Sequence, residues 1–275
     1  MAFTFFFRDQ TPLELAVKHL CTKAIGRNRV RIWDAGCAMG QEPYTLAMIL
    51  AENMGNFAFR NISIYASDYD LPLLKTIEKG IYPWVELQRV PHDIFLKYFE
   101  PAEEEGYFRV VEKIRSSISV YHHDLLKLNP IRDDFSLIVC KNVLLHFQPR
   151  ERIEVYRMFH KALEPGGFLV NEHTQKLPPE MTGFFEQVIP DGQLFRKTGT
   201  MHRTIIEPTV RQGENIHEDM DSGDTIDQRK KHHMIGTREK GTQAELTKAI
   251  NLSASRRGTS GCTASVNTHS RADRK

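Results

Sequence analysis

Across the first 206 residues, apolar and polar positions switch repeatedly between a helical period and short β-prone runs. Residues 13–25 carry apolar side chains at helical spacing, residues 30–33 form a compact apolar run, and residues 42–54 return to the helical period with Leu46, Ile49 and Leu50 on one face. Residues 62–66 predict a second strand, ending in Ser67 and Asp68, and residues 71–79 a third helix. Residues 81–99 are mixed, and residues 107–111 and 118–121 read as strands around a charged connection. A strand over 137–140 precedes a helix over 149–163 that Pro165, Gly166 and Gly167 stop. Strands over 168–171, 184–189 and 194–196 finish the series, the last two as an antiparallel pair.

Alternating strands and helices predict an α/β fold with a mostly parallel sheet and right-handed crossovers. The pattern breaks near residue 206. Every Phe, Trp and Tyr lies at or before Phe195, whereas residues 207–275 are rich in Ser, Thr, Gly, Asp, Lys and Arg. Such a segment has too little apolar surface to offset its ordering entropy, so it is read as a disordered polar tail behind a domain spanning residues 1–206. Of the 275 residues, 40% are hydrophobic, enough for one sizeable core or two modest ones. A formal charge of +2 makes no general case for nucleic acid. Cys21, Cys37, Cys140 and Cys262 are scattered, which suggests neither a zinc site nor a disulfide framework and fits a reducing cytoplasm. The apolar start at residues 1–7 is interrupted by Arg8 and Asp9, well short of a signal or spanning segment.

The chemistry gathers where the first strand ends. Gly36 and Gly40 bracket a tight loop and Pro43 falls in a first helical turn, where a missing N–H is tolerated. Glycines there let the backbone approach a ligand, and the following helix offers unpaired N–H groups. Neither the dinucleotide glycine fingerprint nor the Gly-Lys-Ser/Thr phosphate loop is present. Asp34 and Glu42 flank the loop, and carboxylates suit hydroxyls or a cation rather than phosphate. A sulfonium nucleoside such as S-adenosylmethionine meets both needs.

Ligands of parallel sheets sit beyond the carboxyl ends of the strands, which nominates further residues. Asp68 can accept hydrogen bonds from ribose hydroxyls, Asp124 from an adenine amino group, and Lys141 and Asn142 leave the 137–140 strand toward the same crevice. Each has an ordinary alternative as a helix cap or turn former. His122 and His123 point to opposite faces of a strand, and His146 and His160 are isolated, so no metal site is expected. Trp33 and Trp84 are read as core or rim packing rather than a nucleic-acid platform.

Six stretches in order carry a family resemblance: Phe5-Phe-Phe-Arg-Asp9, Ala35-Gly-Cys-Ala-Met-Gly-Gln-Glu-Pro-Tyr44, Ala66-Ser-Asp-Tyr-Asp70, Gly80-Ile-Tyr82, His123-Asp-Leu125 and Cys140-Lys-Asn-Val-Leu-Leu-His-Phe147. Together they resemble the catalytic domain of the CheR-type chemotaxis receptor glutamate methyltransferases. The resemblance implies a Rossmann-like class I methyltransferase sheet with a C-terminal antiparallel hairpin and a small β insertion over residues 81–118. It implies S-adenosylmethionine as cofactor, S-adenosylhomocysteine as product, and methyl esterification of glutamates on a cytoplasmic chemoreceptor signalling domain by a cytoplasmic, monomeric protein that neither binds nucleic acid nor inserts into the membrane. Carried over by position, Thr4 and Arg8 close over the cofactor, where the Gly36 loop receives it. Glu42 meets its methionine portion, Asp68 its ribose, and Asp124, Leu125, Lys141 and Asn142 border the adenine and the rim. Arg8, whose planar fork can pair with two oxygens, is the candidate for positioning the acceptor carboxylate.

The departures bear on the acceptor. His146-Phe147 stands where the family usually has Tyr-Phe near the reacting groups, and Lys141 where it has Arg. His146 is therefore a catalytic candidate by position, able to donate a hydrogen bond or, protonated, to attract a carboxylate. A neutral histidine packed under the rim is the alternative. The stretch from Glu172 to Pro178 departs from the usual Gly-His-Ser-Glu-Asn, which marks a divergent branch. The chain begins almost at the Phe-Phe-Arg motif, without the helical N-terminal domain that helps family members grip the receptor, so receptor docking is expected to be less secure than cofactor binding. Two other readings stay open: a cofactor-binding but non-catalytic signalling module, and a methyltransferase for another protein or a small molecule.

Overall fold

The computed structural model describes residues 4–172, 176–190 and 192–199; the expected polar tail at 207–275 and Cys262 lie outside the described residues. In chain order the elements are α1 (Gln10–Ala24), β1 (Val30–Ala35), α2 (Gln41–Phe59), β2 (Ile62–Asp68), α3 (Leu71–Lys79), β3 (Ile81–Pro83), α4 (Trp84–Leu87), α5 (His92–Tyr98), β4 (Phe99–Pro101), β5 (Tyr107–Val110), α6 (Glu112–Arg115), β6 (Ile118–His122), β7 (Phe135–Cys140), α7 (Pro149–Ala162), β8 (Leu163–Asn171), β9 (Phe185–Gln187) and β10 (Leu194–Lys197). Short 3₁₀ turns cover Leu125–Lys127, Leu144–His146 and Pro179–Met181.

Seven strands form one sheet in the order β6-β2-β1-β7-β8-β10-β9. β6, β2, β1, β7 and β8 are parallel, and β10 runs antiparallel to both β8 and β9. The fold is thus α/β with a mostly parallel sheet and an antiparallel hairpin, as the pattern predicts. From β1 the chain steps outward through β2 to β6 and then crosses to β7 on the other side of β1. That reversal opens a crevice above the carboxyl ends of β1 and β7, where α/β sheets take their ligands.

Burial on both faces explains the near-continuous apolar run of β7, in which Phe135, Ser136, Leu137, Ile138, Val139 and Cys140 are all buried. On one face, Ile32, Leu137 and Val139 join Leu13, Val17 and Leu20 of α1 and Leu46 and Leu50 of α2. On the other, Trp33, Ile138 and Leu169 meet Val155, Tyr156 and Phe159 of α7. Trp33 has no exposed surface, packs edge-on to Phe159 with ring centroids 5.3 Å apart, and donates its indole N–H to Ser67 Oγ at 2.9 Å.

Two elements differ from the sequence pattern. The chain leaves α7 straight into β8 at Leu163, and the strand passes through Pro165, Gly166 and Gly167, which sequence alone reads as a stop. Pairing slips between Phe135 and Leu137, and Gly166 has φ +66°, so the Pro-Gly-Gly stretch is accommodated as a bulge. Helix α2 extends beyond residue 54 to Phe59, with Gly55 at φ +71° breaking its regular geometry close to the expected end. Within residues 81–110, β3, β5 and β4 make a separate antiparallel three-stranded sheet. Its Tyr82, Phe99 and Phe108 bury against the same apolar cluster as α1 and α2.

Candidate active site

The loop after β1 is tied to β2 by its own backbone. Gly36 N–H and Cys37 N–H both donate to Ser67 O, at 2.8 and 3.0 Å, and Ala38 N–H donates to Asp68 Oδ2 at 2.9 Å. Gly36 has φ +96°, a conformation that L side chains rarely adopt, and a Cβ there would lie 2.2 Å from Val143 Cγ2. The loop therefore approaches the segment after β7 closely enough for only a glycine to fit. Tyr82 Oη donates to Met39 O at 2.6 Å, so the small sheet braces the loop from behind.

The segment before α1 crosses over this loop. Phe6 is fully buried, with its ring 4.9 Å from Tyr82 and 5.5 Å from Phe99, and Phe7 N–H donates to Thr45 Oγ1 at 3.0 Å. Lys141, almost wholly buried, donates from Nζ to the carbonyls of Arg8 and Asp9 at 3.2 and 3.4 Å and pairs with Glu42 Oε2 at 3.0 Å. One ammonium thus joins the N-terminal segment, the first turn of α2 and the end of β7. Arg8 Nε also lies 3.6 Å from Asp9 Oδ2.

Two adjoining cavities of about 400 Å³ each lie above the switch point. One is bordered by Thr4, Arg8, Glu42, Lys141, Asn142 and the exposed His146; the other by Tyr69, His123, Asp124, Leu125, Leu126 and Phe147. Gly36, Asp68 and Val143 belong to both and form their shared wall. The structure therefore brings together Thr4, Arg8, Gly36, Glu42, Asp68, Asp124, Leu125, Lys141, Asn142 and His146, every residue nominated from sequence. Asp68 uses Oδ2 for the loop and Oδ1 for Asp70 N–H at 3.0 Å, and its remaining lone pairs lie at the junction of the cavities. Asp124 Oδ1 accepts from Leu126 N–H at 2.9 Å, so the cap reading of this residue holds alongside its place on the cavity wall. Asn142 is left-handed at φ +59°, which turns the chain from β7 into the cavity rim.

The electrostatics are acidic inside and basic at the rim. Burial pushes the Glu42 carboxyl up, opposed by the Lys141 charge and hydrogen bond. Burial, and then the neighbouring Glu42, push Asp34 well above the carboxylate range; it has no exposed surface, and neither carboxylate oxygen has a hydrogen-bond partner among the described residues. Burial likewise pushes up the Cys37 thiol, which removes it as a thiolate nucleophile. Among the described residues no group of three or more His, Cys, Asp or Glu is placed to hold a metal ion.

Two cavity-wall residues, Tyr69 and His123, and one buried carboxylate beside the wall, Glu172, are absent from the residues nominated by sequence. Tyr69 and His123 flank nominated aspartates, and the strand-end rule applied to residues 122–124 points to them. Glu172 follows β8, is 2% exposed, and has no hydrogen-bond partner of ordinary geometry for either carboxylate oxygen. Burial raises its carboxyl against the Asn142 backbone N–H and the charge of His146. The same strand-end rule finds it, since residues 168–171 were already read as a strand.

A parallel sheet with a nucleoside-sized double cavity at its switch point, a glycine loop after β1 and carboxylates at the ends of β1 and β2 define a Rossmann-like protein of the methyltransferase class. The comparison with known families narrows this. Residues 2–191 match the family described as CheR methyltransferase, SAM binding domain, and the chain belongs to that family. Among curated proteins it is 28% identical over 192 residues to a probable chemotaxis protein methyltransferase of Rhizobium etli, covering 68% of this chain and 72% of that one. It is 28% identical over 180 residues to chemotaxis protein methyltransferase 2 of Vibrio cholerae (63% and 62% covered). It is 30% identical over 175 residues to the chemotaxis protein methyltransferase of Escherichia coli (62% and 60% covered). The chain thus spans between three fifths and three quarters of the length of these relatives. No helix among the described residues is long and apolar enough to cross a membrane.

Proposed function

We propose that this chain transfers a methyl group from S-adenosylmethionine to glutamate side-chain carboxylates of a chemoreceptor signalling domain, in the cytoplasm. The observation that carries this reading is the polarity of the double cavity: Glu42 and Asp68 on its walls, Arg8 and His146 at its rim. Such a field favours a cationic cofactor inside and an anionic acceptor outside. When bound, S-adenosylmethionine supplies an electrophilic methyl group on a positively charged sulfur.

This chain's own residues provide the rest. Glu42, held by Lys141, is aimed at the methionine ammonium. Asp68 accepts from the ribose hydroxyls, and Asp124 and Leu125 border the adenine. Thr4 and Arg8 cover the cofactor, with the Phe6 anchor and the Lys141 bonds holding their segment in place. A glutamate carboxylate is ionised near neutral pH, so the transfer asks for alignment and exclusion of water rather than a general base. Arg8 and His146 orient that carboxylate from the rim.

Calorimetry with S-adenosylmethionine and S-adenosylhomocysteine, followed by a methylation assay on a purified receptor signalling domain, tests the proposal. Binding of both, with base-labile label on the receptor that Asp68→Ala abolishes, is expected. Binding of neither would overturn the site assignment. Binding with base-stable label on a different acceptor would overturn the glutamate assignment alone.

A further inference from the structure

The two most exposed large apolar side chains among the described residues, Phe57 at 84% and Ile25 at 81%, stand on one groove. The groove has a volume of about 580 Å³ and runs between the carboxyl end of α1, at Cys21 and Ile25, and that of α2, at Met54, Phe57 and Ala58. Asn28 and Asn61, which precede β1 and β2, also border it, so it lies at the amino end of the sheet, opposite the glycine loop and the double cavity. Paired exposed apolar groups around a concave surface mark a place where another apolar segment binds. The described chain ends beside it. Strand β10 runs antiparallel to β8 and finishes with Lys197 Nζ donating to Leu163 O at 2.6 Å. The next residue, Glu164, pairs with Arg27 at 2.7 Å, and Arg27 is part of the groove wall. The chain beyond Gly199 therefore starts from the groove's own end of the sheet.

One short stretch of that chain has the pattern of a groove filler. Leu246 and Leu252 are the only leucines after Gly199, and Ala249 and Ile250 stand between them. Thr242 and Glu245, three residues apart, have the capping-box spacing, so the sequence predicts a helix over residues 242–252 with Leu246, Ala249 and Ile250 on one face. We propose that residues 242–252 dock as an amphipathic helix in the groove between α1 and α2 of the same chain, with Leu246 and Ile250 covering Phe57 and Ile25. A helix this short is marginal in water by itself, which agrees with the polar composition of residues 207–275; the apolar surface that offsets its ordering comes from the groove. The tether from Gly199 to Leu246, about 45 residues, spans roughly 35–40 Å as a flexible coil. It holds the helix at an effective concentration on the order of a millimolar, so a modest apolar contact suffices within one chain, while a second copy at micromolar concentration is outcompeted. The docked helix bridges the ends of α1 and α2 remote from Arg8 and Glu42 and leaves the double cavity open. The inference is independent of the cofactor reading.

Hydrogen exchange and maleimide labelling of the full chain, both read by mass spectrometry, test the proposal. Cys21, half-buried on the groove wall, is a native reporter of whether the groove is covered, and Cys262, beyond the segment, is the internal control. Protected amides over residues 244–252 are expected in a chain that sediments as a monomer. The double substitution Leu246→Asp with Ile250→Asp should remove that protection and speed labelling of Cys21 by about tenfold, as for a seat filled about nine-tenths of the time, with Cys262 unchanged. Both substitutions fall outside residues 1–206, so they leave the packing of the domain untouched. Phe57→Ser should remove the protection from the other side of the contact. Unprotected amides over 244–252 in the wild-type chain, or Cys21 labelling indifferent to the double substitution, would overturn the proposal. Protection that appears only as protein concentration rises, together with a dimer in sedimentation, would overturn it in favour of a second copy as the occupant.

Discussion

Replacing Gly36 by alanine tests the close approach on which the double cavity depends. A Cβ at this position falls 2.2 Å from Val143 Cγ2, whereas ordinary carbon contacts lie near ~3.5–4 Å, so the methyl must retreat by roughly 1.5 Å. Valine is stiff at χ1 and cannot swing away freely, and overpacking of this kind costs about 1–3 kcal/mol. The backbone at φ +96° adds about 1–2 kcal/mol for a residue with a side chain. Together these give a destabilisation of about 3 kcal/mol, measurable as a shift in the urea midpoint at unchanged slope. Because Val143 belongs to the wall shared by both cavities, its displacement should also weaken S-adenosylmethionine binding by at least about tenfold, or about 1.4 kcal/mol. Val143→Ala in the same chain removes the overlap but not the backbone strain, so the double variant should recover about 1–2 kcal/mol relative to additivity. A Gly36→Ala variant within about 0.5 kcal/mol of wild type, or a cost indifferent to residue 143, would refute the reasoning.

Lys141→Met should destabilise the chain by about 3–5 kcal/mol near neutral pH, because it strands the Glu42 carboxylate in a buried site and releases the carbonyls of Arg8 and Asp9. With its carboxyl already pushed up by burial, Glu42 without Lys141 binds its proton more tightly folded than unfolded; the deficit should therefore shrink in acid and grow as pH rises, and a pH-independent deficit in denaturation curves would contradict this. Glu164→Gln reports the opposite sign. Burial raises the Glu164 carboxyl, but hydrogen bonds from Lys23 and Arg27, at 2.8 and 2.7 Å, outweigh it and hold it below the ordinary range. Its contribution, about 1 kcal/mol, is present at neutral pH and lost as pH falls through the folded value, so wild type and variant should converge in acid thermal melts.

The order of elements and the residues at strand ends were legible along the chain because both follow from local periodicity. Strands β1, β2 and β7 are buried on one or both faces and read as apolar runs, and the side chains just past them are committed to the crevice once the sheet is parallel. The helix ends at Ala162, just ahead of the Pro-Gly-Gly stretch as expected, but β8 begins at Leu163 and runs through that stretch; a bulge inside a strand and a turn between elements use the same residues, and the pairing of β8 with β7 distinguishes them. Glu172 is marked by its place just past the 168–171 strand, but its burial is not local and follows from what packs against it.

Local pattern and composition suffice for the α/β class, the glycine loop and the residues Glu42, Asp68, Asp124, Lys141 and Asn142, since period, glycine content and strand-end position are properties of neighbouring residues, whereas Thr4, Arg8, Leu125 and His146 are nominated by the family resemblance. The roles within that set required the assembled fold. Lys141 joins three elements, Asp34 is left without a counter-ion, and Gly36 meets Val143, and each of these depends on groups separated by many residues along the chain. Charge burial and close approach are set by what packs against a side chain from elsewhere, and a one-dimensional pattern does not contain that information.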